Sequence, residues 1–337
     1  MADAFGPYTV YEQLGVGGMA IVHRAEIVAD GRTHVVALKR LLPELARDSS
    51  FVRRFIDEAR LGQRIRHVNI AQTHEVGCID GTHFIALEYV HGPTLQRLLH
   101  HAMSTRAMPV YVALHIITQI TRALAYAHGL RDDNDRPIGL IHRDIAPSNI
   151  IIADTGTAKL IDFGVAKTSV GHVRTQAGSI IGKLGYVAPE YLRGKLDARV
   201  DLYSLGVVAH ELLTARKLFD VDDIRTAEQL RAREIEPPSR FNDSVPEELD
   251  AIIMAALQRD PDARWQTAYA MYTALVSFAH EAGLQVRDAD VANWVTRELE
   301  VMPRQEPAAA TPTAEIEIEI EMDLEEAFAR VRAPTAA

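Results

Sequence analysis

The chain of 337 residues has a single cysteine, Cys78, so it can form neither an internal disulfide nor a cysteine-rich zinc site. It also has no apolar run approaching the roughly 18–20 residues needed to cross a bilayer. The N-terminus, MADAFGPYTV, has no basic start and no apolar core, so we expect no signal peptide. These absences predict a cytoplasmic protein.

The chain has fewer basic than acidic side chains, with 36 Lys and Arg against 46 Asp and Glu, which gives a formal net charge of −10. A nucleic-acid binder needs clustered Lys and Arg for its phosphate contacts, so this balance argues against that class. Apolar residues make up 47% of the chain and charged residues 24%. These proportions are ordinary for a globular protein that buries a core.

The order of predicted elements indicates two lobes. Residues 8–90 alternate like β-strands, with one amphipathic helix, Ser50–Arg66, which we expect Ser49 or Ser50 to cap. Residues 91–283 are mostly helical. This order predicts an α+β fold with a β-rich N-lobe, a helical C-lobe and a nucleotide in the cleft between them. The predicted strands are Tyr8–Leu14, Ile21–Val28, Val35–Leu42 and His83–Val90, and the predicted C-lobe helices are Pro109–Leu130, Arg199–Leu213, Pro246–Gln258 and Thr267–Gly283.

The composition changes near the C-terminus. Residues 284–302 are predicted to form a helical extension, and residues 303–337 a Pro/Ala/Thr linker with an acidic tail. Residues 300–337 hold nine acidic and three basic side chains, which is −6 of the total charge. Ile and Glu alternate from Glu315 to Glu321, so a strand here would have one apolar face that could pair with a partner protein or with the N-lobe. Disorder is the preferred interpretation of this tail.

Two segments carry residues for phosphoryl transfer. The segment LIHRDIAPSNII, which begins at Leu140, places Asn149 five residues after Asp144. At this spacing an Asp accepts the proton of a substrate hydroxyl and an Asn holds a metal ion. LIDFGVAK (Leu160–Lys167) adds Asp162 as the main magnesium ligand, since magnesium on a phosphate takes oxygen ligands.

A Gly-rich hairpin, LGVGGMAIV (Leu14–Val22), precedes these segments and matches G-x-G-x-x-G-x-V, except that Ala20 replaces the last glycine. Glycine lets backbone amides close over phosphates without a side chain in the way. On the next strand Lys39 is the one charge in an apolar run, so it needs a buried partner. Glu58 in the following helix is the preferred partner, with Asp57 as the alternative.

GYVAPE (Gly185–Glu190) and ARVDLYSLG (Ala198–Gly206) complete five motifs in a fixed order. From residue 8 to about residue 280 the chain resembles the eukaryote-like protein kinases, most closely the bacterial serine/threonine branch, whose loops often read GxGGM. The resemblance implies a bilobal protein-kinase fold. It also implies transfer of the ATP γ-phosphate to serine or threonine hydroxyls of protein substrates with Mg²⁺, or alternatively Mn²⁺.

The resemblance also assigns residues to ATP and to structural contacts. Glu190 is expected to pair with Arg264, and Asp201 to brace the catalytic loop from the helix beneath it. The ATP site implied by the family comprises the Gly-rich loop (Leu14, Gly15, Gly17, Gly18), Lys39, the adenine-contacting side chains (Val22, Ala37, Ile151), the gatekeeper Leu87 and the backbone of Glu88 and Val90.

Arg143, directly before Asp144, marks kinases that are switched by phosphorylation of the activation loop. The family pattern therefore predicts autophosphorylation in that loop, at Ser179 or at Thr175. Arg143, Lys167 and Arg54 are placed to bind the phosphate through charge-assisted hydrogen bonds.

Two positions depart from the family. Serine/threonine kinases usually carry Lys where this chain has Ala146, and they usually carry Thr where GKLGY (Gly182–Tyr186) has Lys183. We interpret this as a swap in which Lys183 restores the missing charge; an exposed loop lysine beside a neutral change is the alternative. The second departure is Gly62, at a position where the family packs an aliphatic side chain against the Phe of D-F-G. The hypothesis is that Gly62 makes a looser contact with this Phe than an aliphatic side chain would.

Three other functions compete with the protein serine/threonine kinase. A nucleotide-binding pseudokinase scaffold is suggested by Ala146, Ala20 and Gly62. A small-molecule phosphotransferase would share the cleft but would not need the peptide platform around GYVAPE. Tyrosine kinases also have Ala at the position of Ala146, but neither Ser148 nor GKLGY matches their pattern.

Overall fold

A computed structural model of the chain describes residues 3–105, 108–162, 183–191, 196–221 and 234–303. The predictions for Lys167, Thr175, Ser179 and the tail of residues 304–337 lie outside these residues and stay predictions.

A six-stranded antiparallel sheet forms the N-lobe, with the strand order β1-β2-β3-β4-β6-β5. Its alternating pattern buries Ala25, Val36, Leu38 and Phe84 on one face. The sheet begins before residue 8, because the first strand pairs with the second through Phe5 and Tyr8. The strands are β1 Asp3–Phe5, β2 Tyr8–Val16, β3 Ala20–Ala29, β4 Arg32–Leu41, β5 Thr73–Ile79 and β6 Thr82–Glu88.

One helix, α1 (Ser49–Arg64), lies within the described part of the N-lobe. Its N-cap is Asp48, whose side chain accepts a hydrogen bond from the backbone of Ser50 at 2.8 Å, so the predicted serine cap is wrong by one residue. A carboxylate at this place also suits the positive end of the helix dipole. Phe55 and Ala59 bury the inner face of α1 against the second face of the sheet.

The C-lobe is helical and is built around α3, which is nearly apolar on all sides and deeply buried. A small two-stranded sheet lies between this core and the cleft. The predicted two-lobed α+β layout is confirmed. The elements are α2 Leu95–Ser104, α3 Val110–His128, β7 Ile150–Ile152, β8 Ala158–Leu160, α4 Arg199–Thr214, α5 Glu247–Ala256, α6 Ala268–Glu281 and α7 Asp288–Val301. No helix among the described residues is long and apolar enough to span a membrane.

The last helix, α7, is fastened to the C-lobe through Asp288 at its first turn. One carboxylate oxygen lies 2.8 Å from both His115 Nε2 and Gln119 Nε2, and the other accepts the Thr157 hydroxyl at 2.8 Å. Gly156, at φ +88°, allows this approach, because a Cβ there would collide with the Asp288 carbonyl. The predicted extension of residues 284–302 thus contains a helix that packs against the kinase-like core.

Replacing Asp288 by alanine is expected to lower the free energy of unfolding by about 1–2 kcal/mol, since three side-chain partners lose an acceptor. Burial alone would raise the pKa of Asp288, but hydrogen bonds from His115 and Thr157 outweigh it and hold the pKa below its usual value. The contribution is therefore complete at neutral pH and is lost as the pH falls through that lowered value. Urea denaturation at pH 7 measures it, and Glu300→Ala, an exposed carboxylate on the same helix, is the matched control.

Candidate active site

Lys39 lies on the face of β4 that looks into the cleft, between two carboxylates. Its Nζ lies 2.9 Å from Glu58 Oε1 and 3.1 Å from Asp162 Oδ1. The alternation of β4 explains this position, because Val36 and Leu38 point into the sheet core while Ala37 and Lys39 point the other way. Glu58 therefore occupies the place predicted for the partner of Lys39.

The charges of this trio reinforce one another. Burial alone would lower the pKa of Lys39, but the carboxylates of Asp162 and Glu58 outweigh it and raise the pKa above its usual value. Burial alone would raise the pKa of Asp162, but the ammonium of Lys39 holds it below its usual value. Both groups are therefore charged at neutral pH, as phosphate and metal binding require.

Asp201, on α4, fixes the backbone of the catalytic loop. Its two carboxylate oxygens accept the backbone N–H groups of His142 and Arg143, each at 2.8 Å, and Oδ2 lies 2.8 Å from His128 Nε2. Arg143 has φ +64°, a costly conformation for a residue with a side chain. The two N–H bonds to one buried carboxylate hold the loop in this conformation just before Asp144.

Asn149 and Asp144 are joined across a tight turn. The Asn149 amide nitrogen donates to the Asp144 carbonyl at 2.7 Å and to Asp144 Oδ2 at 2.8 Å. This leaves the Asn149 Oδ1 atom directed toward Lys183, whose Nζ lies 3.3 Å from it and 2.7 Å from Asp144 Oδ2. The structure therefore brings three predicted site residues into one cluster.

The two predicted metal ligands adjoin each other. The backbone N–H of Ile161, next to Asp162, donates to the Asn149 carbonyl at 2.9 Å. An amide oxygen and a carboxylate are the donors that magnesium takes, with the remaining positions filled by phosphate and water. The donor set of Asn149 and Asp162 therefore fits a magnesium ion that is bound together with a nucleotide.

The Gly-rich hairpin between β2 and β3 has room above it. A Cβ on Gly15 would meet no atom within 4 Å, and one on Gly17 would meet only the Ala20 carbonyl, at 3.7 Å. Packing within the protein therefore does not require these two glycines, which suits a loop that must leave space for phosphates. Ala20 is buried against α1, which explains a side chain where the family has its third glycine.

Two of the predicted adenine-contacting residues, Val22 and Ala37, share one face of the six-stranded sheet. Val22 pairs with Lys39, and Ala37 pairs with Leu87, so these side chains point to the side that Lys39 occupies. Ile151 lies on β7 below the cleft. Leu14, at the end of the hairpin, is exposed, and Val90 is buried where the chain passes to the C-lobe.

Sequence reasoning missed how the segment between the lobes is held. The Glu88 side chain forms a salt bridge with Lys159 of β8 at 2.7 Å and accepts the Gln72 backbone N–H at 3.1 Å. The Glu88 backbone N–H donates to the Gln72 carbonyl at 2.7 Å. No local sequence pattern pairs Glu88 with Lys159, because the two residues are 71 positions apart.

Two contacts to buried carboxylates support the segment around GYVAPE. Arg264 forms a two-pronged pair with Glu190, including Nη2–Oε2 at 2.7 Å, as the resemblance implied. Sequence reasoning missed the second contact, in which Glu211 accepts the Tyr186 hydroxyl at 2.7 Å and lies 3.2 Å from Lys217 Nζ. These contacts fasten Tyr186 to α4 and Glu190 to the loop that precedes α6.

The predicted phosphate-binding arginines are placed differently. Nε and Nη1 of Arg143 are buried without a hydrogen-bond partner among the described residues. Arg54 lies along its own helix, with Nε 3.2 Å from the Ser50 carbonyl and the guanidinium over the ring of Phe51. The phosphate-binding role of both stays a prediction.

Gly62 lies close to β5. A Cβ on Gly62 would collide with the hydroxyl of buried Thr73, so the glycine permits close contact between α1 and β5. This packing is a structural reason for a glycine at position 62. The Phe of D-F-G lies outside the described residues, so its contact with Gly62 stays a hypothesis.

Comparison with known proteins agrees with this geometry. A sequence profile of the protein kinase domain matches residues 8–276. Among curated relatives, tyrosine-protein kinase MasK of Myxococcus xanthus is 37% identical over 285 residues, which are 83% of this chain and 44% of MasK. Serine/threonine-protein kinase PrkC of Bacillus subtilis is 37% identical over 268 residues, which are 78% of this chain and 39% of PrkC. The chain therefore spans less than half the length of these relatives.

The crystal structure of the Mycobacterium tuberculosis PknI kinase domain superimposes with a TM-score of 0.60 at 28% identity, covering 84% of this chain and 98% of that domain. The resemblance to the bacterial branch of the eukaryote-like kinases is thus confirmed. The chain belongs to the protein kinase domain family.

Proposed function

We propose that this chain is an ATP-dependent serine/threonine protein kinase that phosphorylates protein substrates and its own activation loop. One observation carries the proposal: Lys39 with Glu58 and Asp162, and Asp144 with Asn149, lie at one cleft, and Lys39 and Asp162 are both charged. A scaffold that only bound nucleotide would not need Asp144, and nothing in this geometry favours that alternative.

Each residue has a role in the proposed reaction. Lys39, held by Glu58, binds the α- and β-phosphates, and the hairpin amides of residues 15–18 cover the phosphates. Asp144 accepts the proton of the acceptor hydroxyl. As the oxygen of that hydroxyl bonds to the γ-phosphorus, the bond between the γ-phosphorus and the β-phosphate oxygen breaks. Asn149 and Asp162 would hold magnesium, which neutralises charge on the phosphates.

The acceptor is the finer part of the proposal. PrkC is named a serine/threonine kinase and MasK a tyrosine kinase, at the same identity to this chain. We assign Ser/Thr because further relatives, including PknB of Mycobacterium tuberculosis, 36% identical over 278 residues, carry that name. The cytoplasmic location, the partner of the acidic tail and the use of Mn²⁺ stay predictions.

The test is a time course of intact mass. The full chain is stripped with phosphatase and given magnesium and ATP, beside an Asp144→Asn variant of the same shape. We expect the wild type alone to gain phosphates, on Ser or Thr and first at Ser179 or Thr175. If the wild type binds ATP but gains no phosphate, the result would contradict the kinase activity and favour the scaffold. Phosphate gained on Tyr would contradict the assignment of Ser/Thr as the acceptor.

A further inference from the structure

Ala146 and Lys183 lie against the same small cavity. It has a volume of about 20 Å³ and is lined by Asp144, Ala146 and Lys183 together with residues of the GYVAPE segment and α4. Ala146 is 2% exposed, so its methyl group points into the protein and not into solvent. Lys183, which is 37 residues further along the chain, therefore faces the position at which the family lysine would be attached.

Lys183 extends from this wall into the catalytic cluster. Its Nζ lies 2.7 Å from Asp144 Oδ2 and 3.3 Å from Asn149 Oδ1. Its side chain is only 31% exposed, and its charge also acts on the Asp162 carboxylate. A solvated loop lysine, the alternative to the swap, would not bridge the half-buried Asp144 carboxylate and the buried Asn149 amide of the catalytic loop.

We propose that Lys183 is the cation that contacts the γ-phosphate during transfer, taking over from position 146 a role that the catalytic loop of this chain does not fill. This proposal rests on the proposed kinase function. Asp144 holds the ammonium near the point where the acceptor hydroxyl and the phosphoryl group meet, while the Asn149 oxygen would serve the magnesium ion. There the ammonium neutralises charge on the moving phosphoryl oxygens, and that effect is strongest in the transition state.

The first test compares ligand affinity and turnover. For Lys183→Met we expect turnover to fall by roughly 10² while the KM for ATP changes less than about threefold. The affinity for ADP with aluminium fluoride and magnesium, which mimics the phosphoryl group in transfer, falls at least about tenfold. The affinity for ADP alone is unchanged. Arg297→Met is the control, since it removes an exposed cation of α7 whose guanidinium contacts the Asn293 carbonyl of its own helix and not Asp144.

A second test restores the charge. Because Cys78 is the single cysteine, a Cys78→Ser, Lys183→Cys protein carries one thiol. Its thiolate displaces bromide from 2-bromoethylamine and gains an aminoethyl group as long as the lysine side chain. We expect this alkylation of the folded protein to restore at least about a tenth of the activity of Cys78→Ser. Iodoacetamide adds a neutral group and should restore none.

The genetic counterpart moves the lysine back. Ala146→Lys combined with Lys183→Thr is expected to recover at least about a tenth of wild-type turnover, because the shortened side chain at 183 leaves space for the new lysine.

The outcomes separate this inference from the proposed function. An active wild type with unchanged turnover and aluminium-fluoride affinity in Lys183→Met overturns the role of Lys183 and leaves the kinase function standing. Equal recovery with iodoacetamide also overturns it, because the charge would then be irrelevant. A wild type that phosphorylates nothing rejects the kinase itself, before any lysine variant is measured.

Discussion

Replacing Asp201 by alanine is expected to lower the free energy of unfolding by about 3–5 kcal/mol, because two buried backbone N–H groups lose their acceptor and each costs about 1–3 kcal/mol. Burial alone would raise the pKa of Asp201, but its hydrogen bond with His128 and the nearby His142 outweigh burial and lower the pKa. The lost group is therefore a carboxylate, which is a stronger acceptor than a neutral one.

The same substitution is expected to reduce turnover by at least about 10². Without Asp201 the Arg143 N–H loses the acceptor that helps to hold its backbone at φ +64°, and displacement of a catalytic group by about 1 Å can cost 10²-fold. Urea denaturation and the phosphorylation time course measure the two effects. Ser204→Ala, one turn further along α4, removes a side-chain bond to the Val200 carbonyl only and is the control. An Asp201→Ala protein that stays fully active would show that the loop supports itself.

Replacing Arg264 by methionine is expected to lower the free energy of unfolding by about 3–5 kcal/mol, the cost of leaving a buried ionic partner unpaired. The Arg264 side chain is 0% exposed and also contacts the carbonyls of Gln258 and Arg259. Glu190, left behind, would be a charge in an apolar environment beside the GYVAPE segment.

The double variant Arg264→Met, Glu190→Met tests that explanation. We expect it to be more stable than Arg264→Met alone, because removing both charges removes the desolvation penalty. Urea midpoints of the wild type, both single variants and the double variant complete the cycle. Strictly additive losses would mean that Arg264 acts through its carbonyl contacts and not through Glu190.

The sequence by itself determined the candidate catalytic residues. Lys39, Asp144, Asn149 and Asp162 are predicted because phosphoryl transfer needs these residue types at fixed spacings within short segments. The layout of two lobes followed from the change of hydrophobic period near residue 90. Boundaries were less accurate: β1 lies before residue 8, and α1 is capped by Asp48 because a carboxylate competed with two neighbouring hydroxyl groups.

Only the tertiary structure decided which distant groups meet. The salt bridge of Glu88 with Lys159 and the fastening of α7 through Asp288 join residues 71 and 131 or more positions apart. No local pattern encodes such pairs, because helical and strand periods fix which face a side chain occupies but not what lies opposite. The contact of Lys183 with Asp144 is likewise a contact between residues that are distant in the sequence. The sequence showed one lysine absent and another present, and the folding of the GYVAPE segment onto the catalytic loop placed that ammonium 2.7 Å from Asp144.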